Sequence, residues 1–107
     1  MKIDLNKTDD RVTVALEGRL DTITAPELEA ALTPALEGTK ELTLDFAGVE
    51  YLSSAGLRVL LSAQKVMNRQ GSMKLTHVCA SVLEIFEVTG FSDILTIEQA
   101  DGDAGNG

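Results

Sequence analysis

One cysteine, Cys79, and one histidine, His77, are all that the 107 residues offer of each type, and this removes several chemistries at once. A lone cysteine closes no internal disulfide, and Cys79 with His77 falls short of a metal site, so both residues read as structural or incidental. No apolar run approaches the roughly 18 residues needed to cross a membrane. The start, "MKIDLNKTDD", lacks the basic flank and apolar block of a secretory signal, which makes the cytoplasm the expected compartment. There is no Walker-type "GxxxxGK" and no "GxGxxG", so nucleotide binding has no motif behind it and no cofactor is expected. Nor is there a surplus of basic residues. With 17 acidic against 9 basic side chains the net charge is −8, which argues against nucleic acid or anionic lipid as a partner.

What is present describes an ordinary globular chain. At 44% hydrophobic and 24% charged residues, it has the length and composition of one domain with one core. The acidic residues are unevenly spread: all lie in 1 to 50 or 84 to 103. Residues 51 to 83 carry none, but do carry Arg58, Lys65, Arg69 and Lys74. That segment is a basic island in an acidic protein.

Ile3 and Leu5 alternate with polar neighbours, as do Val12, Val14 and Leu16, and the "TDD" between the two runs predicts an antiparallel hairpin. In "GRLDTITAPELEAALTPALEG", Thr24 followed by Glu27 is the pattern of a capping box, with Pro26 tolerated in the first turn. Leu28, Ala31, Leu32, Ala35 and Leu36 form a helical stripe that Gly38 ends, and Pro34 should kink or break the last turn. "ELTLDF" is a third strand. Residues 55–70 form a second helix with Leu57, Leu60, Leu61 and Met67 inside, and Gly71 stops it. "MKLTHV" supplies a fourth strand, and "SVLEIFEVTG" a short helix with Ser81 as cap and Gly90 as stop. "ILTI" allows a fifth strand, and the tail "ADGDAGNG", residues 100–107, is expected to be disordered beyond a domain of 1–99. The fold class is therefore α/β: a mixed sheet of four or five strands, an antiparallel hairpin and then parallel strands, packed with three to four helices and less deeply covered on one face.

The junction "YLSSAGLRVLL" is the most informative stretch. Ser53 or Ser54 can cap the following helix, worth about 1 kcal/mol. On a helical wheel Ser54, Arg58, Ser62, Lys65 and Arg69 fall within roughly 80° of one another, opposite the leucine stripe. A phosphate on Ser54 would meet backbone N–H groups, the positive end of the helix dipole and Arg58 one turn away. Gly56, with no evident packing reason at an exposed helix start, would let a partner's backbone approach. A catalytic serine is disfavoured: a nucleophile elbow needs glycine on both sides, whereas Leu52 precedes Ser54, and His77 has no evident orienting carboxylate.

The chain resembles the STAS domain, and within it the stand-alone bacterial anti-sigma-factor antagonists, over roughly residues 2 to 99. The resemblance rests on "EGRLDTITAPEL", "LTLDFAGVEYLSSAGLRVLL" and "VTGFSDILTI". It implies a non-enzymatic module that binds a kinase-type anti-sigma factor, frees the sigma factor, and is switched off by serine phosphorylation until a phosphatase restores it. The family's common Asp-Ser-Ser-Gly-Leu appears here as Ser53, Ser54, Ala55, Gly56 and Leu57, which implies Ser54 as acceptor and puts Ser53 in play as a competitor. It also implies that Asp21 and Thr22 border the partner surface; with the junction residues Ser53, Ser54, Ala55 and Gly56 and with Arg58 and Ser62 of the basic face, these are the expected partner-binding residues. A monomer is expected for the free protein. The alternatives are a STAS subunit docked on a transporter ATPase or another STAS assembly without a phosphorylation switch, and, remotely, a serine hydrolase.

Overall fold

The computed structural model describes residues 1–98, so the domain end at 99 and the expected disorder of 100–107 lie outside the described residues. Strands β1 (Lys2–Thr8) and β2 (Arg11–Leu20) form the expected antiparallel hairpin. Helix α1 (Ala25–Ala35) leads to β3 (Glu41–Leu52), and α2 (Ser54–Gln70) to β4 (Ser72–Thr76). Helix α3 (Ala80–Thr89) and a 3-10 turn (Phe91–Asp93) precede the short β5 (Ile97–Glu98). The sheet order is β1-β2-β3-β4-β5, parallel from β2 onward.

Each crossover moves one strand in the same direction, so right-handed connections place all three helices on one face. On that face Val12, Val14, Leu16, Leu42, Leu44, Phe46, Met73 and Leu75 are buried against Leu28, Leu32, Leu57, Leu60, Met67, Val82 and Phe86. Each such side chain contributes on the order of 1.5–3 kcal/mol. The register puts Lys2, Asp4, Arg11, Thr13, Glu41, Thr43, Asp45, Lys74 and Glu98 on the other face, which is open and polar. Exposed ion pairs Arg11–Glu41 and Lys74–Glu98 cross it at 3.5 and 3.3 Å.

Several local expectations change. β3 continues six residues past "ELTLDF" to Leu52, and its register with β2 shifts between Ala15 and Glu17 and again between Gly18 and Arg19. These bulges break the period-2 pattern, which is why Ala47–Leu52 does not read as strand. α1 passes through Pro34 and ends one residue later. Thr24 is its N-cap residue but makes no side-chain cap bond. α3 is capped by position at Cys79, and Ser81 lies inside its first turn. Leu61 is half-buried, while Gly56 and Gln64 are buried on α2 in addition to the predicted leucines.

Candidate functional site

Four parallel strands end on the same edge of the sheet, and α2 starts there directly from the end of β3. The Ser53 N–H donates to Leu20 O at 2.9 Å, fastening the end of β3 to the end of β2, and Leu57 N–H returns to Ser53 O at 3.0 Å as the first turn of α2. Ser53 is extended, φ −102° and ψ 175°, as an N-cap residue should be, yet its side chain makes no cap bond. Its Oγ is buried without a hydrogen-bond partner. Ser54, the first helical residue, is exposed. The two serines that sequence alone leaves as competitors are thus in different environments.

The loop after β2 flanks this start. Asp21 Oδ1 accepts the Ile23 and Thr24 N–H groups at 3.0 and 3.1 Å. The Thr24 hydroxyl accepts the Asp21 N–H at 2.8 Å and donates to Arg19 O at 2.6 Å. Both bonds turn that hydroxyl into the loop, away from the amides of α1, to which it makes no cap bond. The Thr24 amide, aided by the Ile23 amide, the Thr24 hydroxyl and Arg19, holds the Asp21 carboxyl below its ordinary range, against the smaller opposing effect of burial. Asp21 is therefore a brace, half-buried under the loop, while Thr22 is exposed above it.

A shallow depression brings Thr22 and Pro26 from the first helix's approach together with Ala55, Arg58 and Ser62 from α2. Arg58, Ser62, Lys65 and Arg69 are all exposed, as the wheel requires. Gly56 is the exception. It faces inward, and a Cβ there would come within 2.7 Å of Leu20 and Leu52 side chains. The glycine lets α2 settle on the ends of β2 and β3 and does not offer backbone to a partner. Two residues missed by sequence reasoning belong to this edge: Ile23 is 78% exposed at the tip of the braced loop, and Tyr51 lies under the Arg19 guanidinium at 4.3 Å. A solitary apolar residue in "DTIT" was the available signal for Ile23.

Hydrolysis gains nothing from the geometry. His77 does have a carboxylate, with Nδ1 3.2 Å from Asp45 Oδ1, but Asp45 lies seven positions before Leu52, roughly 20 Å of strand, on the open face. Ser54 therefore has no histidine beside it. Cys79 is exposed, and the Ser81 hydroxyl 3.3 Å away lowers its thiol pKa, helped by amides at the start of α3 and opposed by burial. Among the described residues no cluster of three or more histidine, cysteine, aspartate or glutamate side chains could hold a metal. Among them also, no helix is long and apolar enough to cross a membrane.

A family model described as "Mlab, STAS domain" matches residues 3–96. The chain belongs to the STAS domain family. Among its relatives, this STAS chain is 35% identical to BtrV of Bordetella bronchiseptica, a candidate anti-sigma factor antagonist, over 91% of this chain and 85% of that protein. It is 30% identical to the anti-sigma-B factor antagonist of Bacillus subtilis, over 91% and 90% of the two chains. Its fold matches that of the Bacillus cell fate determinant SpoIIAA in the phosphorylated form, with a TM-score of 0.71 at 16% identity and coverage of 94% and 95%. The STAS resemblance and the expected mixed sheet both hold.

Proposed function

We propose that this STAS protein is an anti-sigma-factor antagonist: unmodified, it binds a kinase-type anti-sigma factor through the start of α2 and the braced loop, and phosphorylation of Ser54 ends that binding. The observation that carries this reading is the contrast at the junction, an exposed Ser54 beside a Ser53 whose Oγ is buried. A kinase active site must reach the hydroxyl oxygen, and only Ser54 presents one without displacing the helix start. Ser53 serves instead as the pivot whose backbone ties β3, β2 and α2 together. The antagonist names of the relatives and the existence of SpoIIAA in a phosphorylated form support the same assignment.

The switch is electrostatic. A phosphoserine adds about −1.5 to −2 charges. Set opposite acidic groups of a partner, it costs several kcal/mol, or about a hundredfold to a thousandfold in affinity. Within the chain the same charge is tolerated, because it lies at the positive end of α2 with Arg58 one turn away. Thr22, Ile23, Ala55, Arg58 and Ser62 form the surrounding contact surface, and Asp21 acts on it by fixing the loop.

Incubation with ATP and the kinase-type anti-sigma factors of the same genome, followed by mass spectrometry, should place phosphate on Ser54. Ser54→Ala should bind the anti-sigma factor as the parent does, and Ser54→Asp should bind at least about tenfold more weakly. Phosphate on neither serine, or equal affinity of the two variants, overturns the switch.

A further inference from the structure

The outer crests of α1 and α2 carry opposite charges. Glu29 and Glu37 stand on the α1 side, Arg58, Lys65 and Arg69 on α2, all exposed, and among the described residues no ion pair joins the two sets. Between them runs a largely apolar groove of about 360 Å³, floored by Leu32, Leu36, Val59 and Ala63. Val66, 40% exposed, leans over it. The groove's shape is fixed at one end by Gln70, whose Nε2 donates to Leu36 O and Thr39 O at 2.6 Å each.

The levels of these charges along the groove matter. Glu29 lines it with Ser62 and shares the adjoining depression with Arg58, and Glu37 lines it with Val66 and Gln70, the latter next to Arg69 in sequence. α1 and α2 run the same way, since both connect parallel strands. A two-fold axis along the groove therefore lays α1 of one copy over α2 of the other and keeps every residue at its own level. Glu29 then meets the other copy's Arg58, Glu37 meets its Lys65 and Arg69, and the two Val66 side chains meet at the axis. An axis across the helices would instead set like charges together.

We propose that this face is a self-complementary docking surface for a second copy of the chain, forming a weak two-fold dimer closed by apolar contact over the groove and by four-way charge pairing at its rims. This departs from the monomer expected for the free protein. The dimer would cover Arg58 and Ser62, so self-association and anti-sigma-factor binding would exclude one another. The inference does not depend on phosphorylation, and its failure would leave the Ser54 reading standing.

Sedimentation velocity on the full chain, up to about 1 mM protein and at low salt, should show dimer with a dissociation constant on the order of 0.1 mM. Glu37→Lys, and separately Lys65→Glu with Arg69→Glu, should each weaken it at least about tenfold, since each sets like charges together at both contacts of residue 37 with residues 65 and 69. An equimolar mixture of these two variants should regain a heterodimer, in which both contacts of residue 37 again join opposite charges and both Glu29–Arg58 contacts are unchanged. In a Cys79→Ser background, Val66→Cys should form an intermolecular disulfide on mild oxidation. Unchanged circular dichroism of the variants keeps loss of association separate from loss of fold. A wild-type chain that stays monomeric throughout overturns the dimer and leaves the groove to a different partner. Self-association indifferent to both reversals, no heterodimer in the mixture, or no cross-link through residue 66 each overturns the arrangement.

Discussion

Ser53 occupies the position where serine normally stabilises a helix, yet its hydroxyl is buried and bonds to nothing. Replacing an N-cap serine by alanine ordinarily costs about 1 kcal/mol. Here no cap bond is lost and an unsatisfied buried oxygen is removed, a relief of order 1 kcal/mol. Ser53→Ala should therefore leave stability unchanged or raise it by up to about 1 kcal/mol, read from the urea midpoint; a loss of 1 kcal/mol or more would show that the hydroxyl does cap α2. Asp21 makes a second residue-level prediction. Its carboxyl is held below the ordinary range in the folded chain by the Thr24 and Ile23 amides, so the unfolded chain binds its proton first as pH falls. The stabilisation is complete above the unfolded pKa of about 4 and is lost as pH drops through the lower folded value. Asp21→Asn should be less stable than the parent at neutral pH, and the gap should close on acidification below about pH 4. A gap independent of pH would remove the carboxylate from the loop's support.

At the scale of the elements, α2 is positioned by what it lacks at residue 56. A methyl group there would press on Leu20 and Leu52, which are buried at 0% and 3% exposure, so at least one of them must shift within the core. Overpacking costs about 1–3 kcal/mol, and the gain in helix propensity from glycine to alanine returns about 1. Gly56→Ala should thus destabilise by about 1 kcal/mol in chemical denaturation; a stabilised variant would show that the helix start is free to move. Most elements were legible from periodicity, because Val12-Val14-Leu16, Leu42-Leu44-Phe46 and the α2 leucines each put one face in the core. The second half of β3 was not, since two bulges put it out of phase. The capping box at Thr24 was not either, because its hydroxyl is claimed by Arg19 O and the Asp21 amide, partners that only the folded loop brings near. The same limit hid the burial of Gly56: a helix start looks exposed until the ends of β2 and β3 are placed beneath it. Ser54 and its basic face were legible, because helical spacing alone fixes which residues share the outward side.

For the whole molecule, the one-sided sheet separates the packed core from the proposed Ser54 switch. The helices cover one face, the other is polar, and Ser54 stands at the strand ends where it buries nothing. A negative charge at this site therefore acts on two free energies of opposite sign. Within the chain it interacts favourably with the start of α2, by about 0.3–1 kcal/mol. For a domain of this size 1 kcal/mol corresponds to about 4–8 °C in melting temperature. Against an acidic partner surface it costs several kcal/mol. Ser54→Asp should accordingly melt at the same temperature as the parent or up to about 5 °C higher, by calorimetry, while losing partner affinity in titration. The two measurements on one variant distinguish repulsion at the interface from a conformational switch. A switch that worked by loosening α2 would lower the melting temperature and the affinity together, and that joint loss would be the result against interface repulsion.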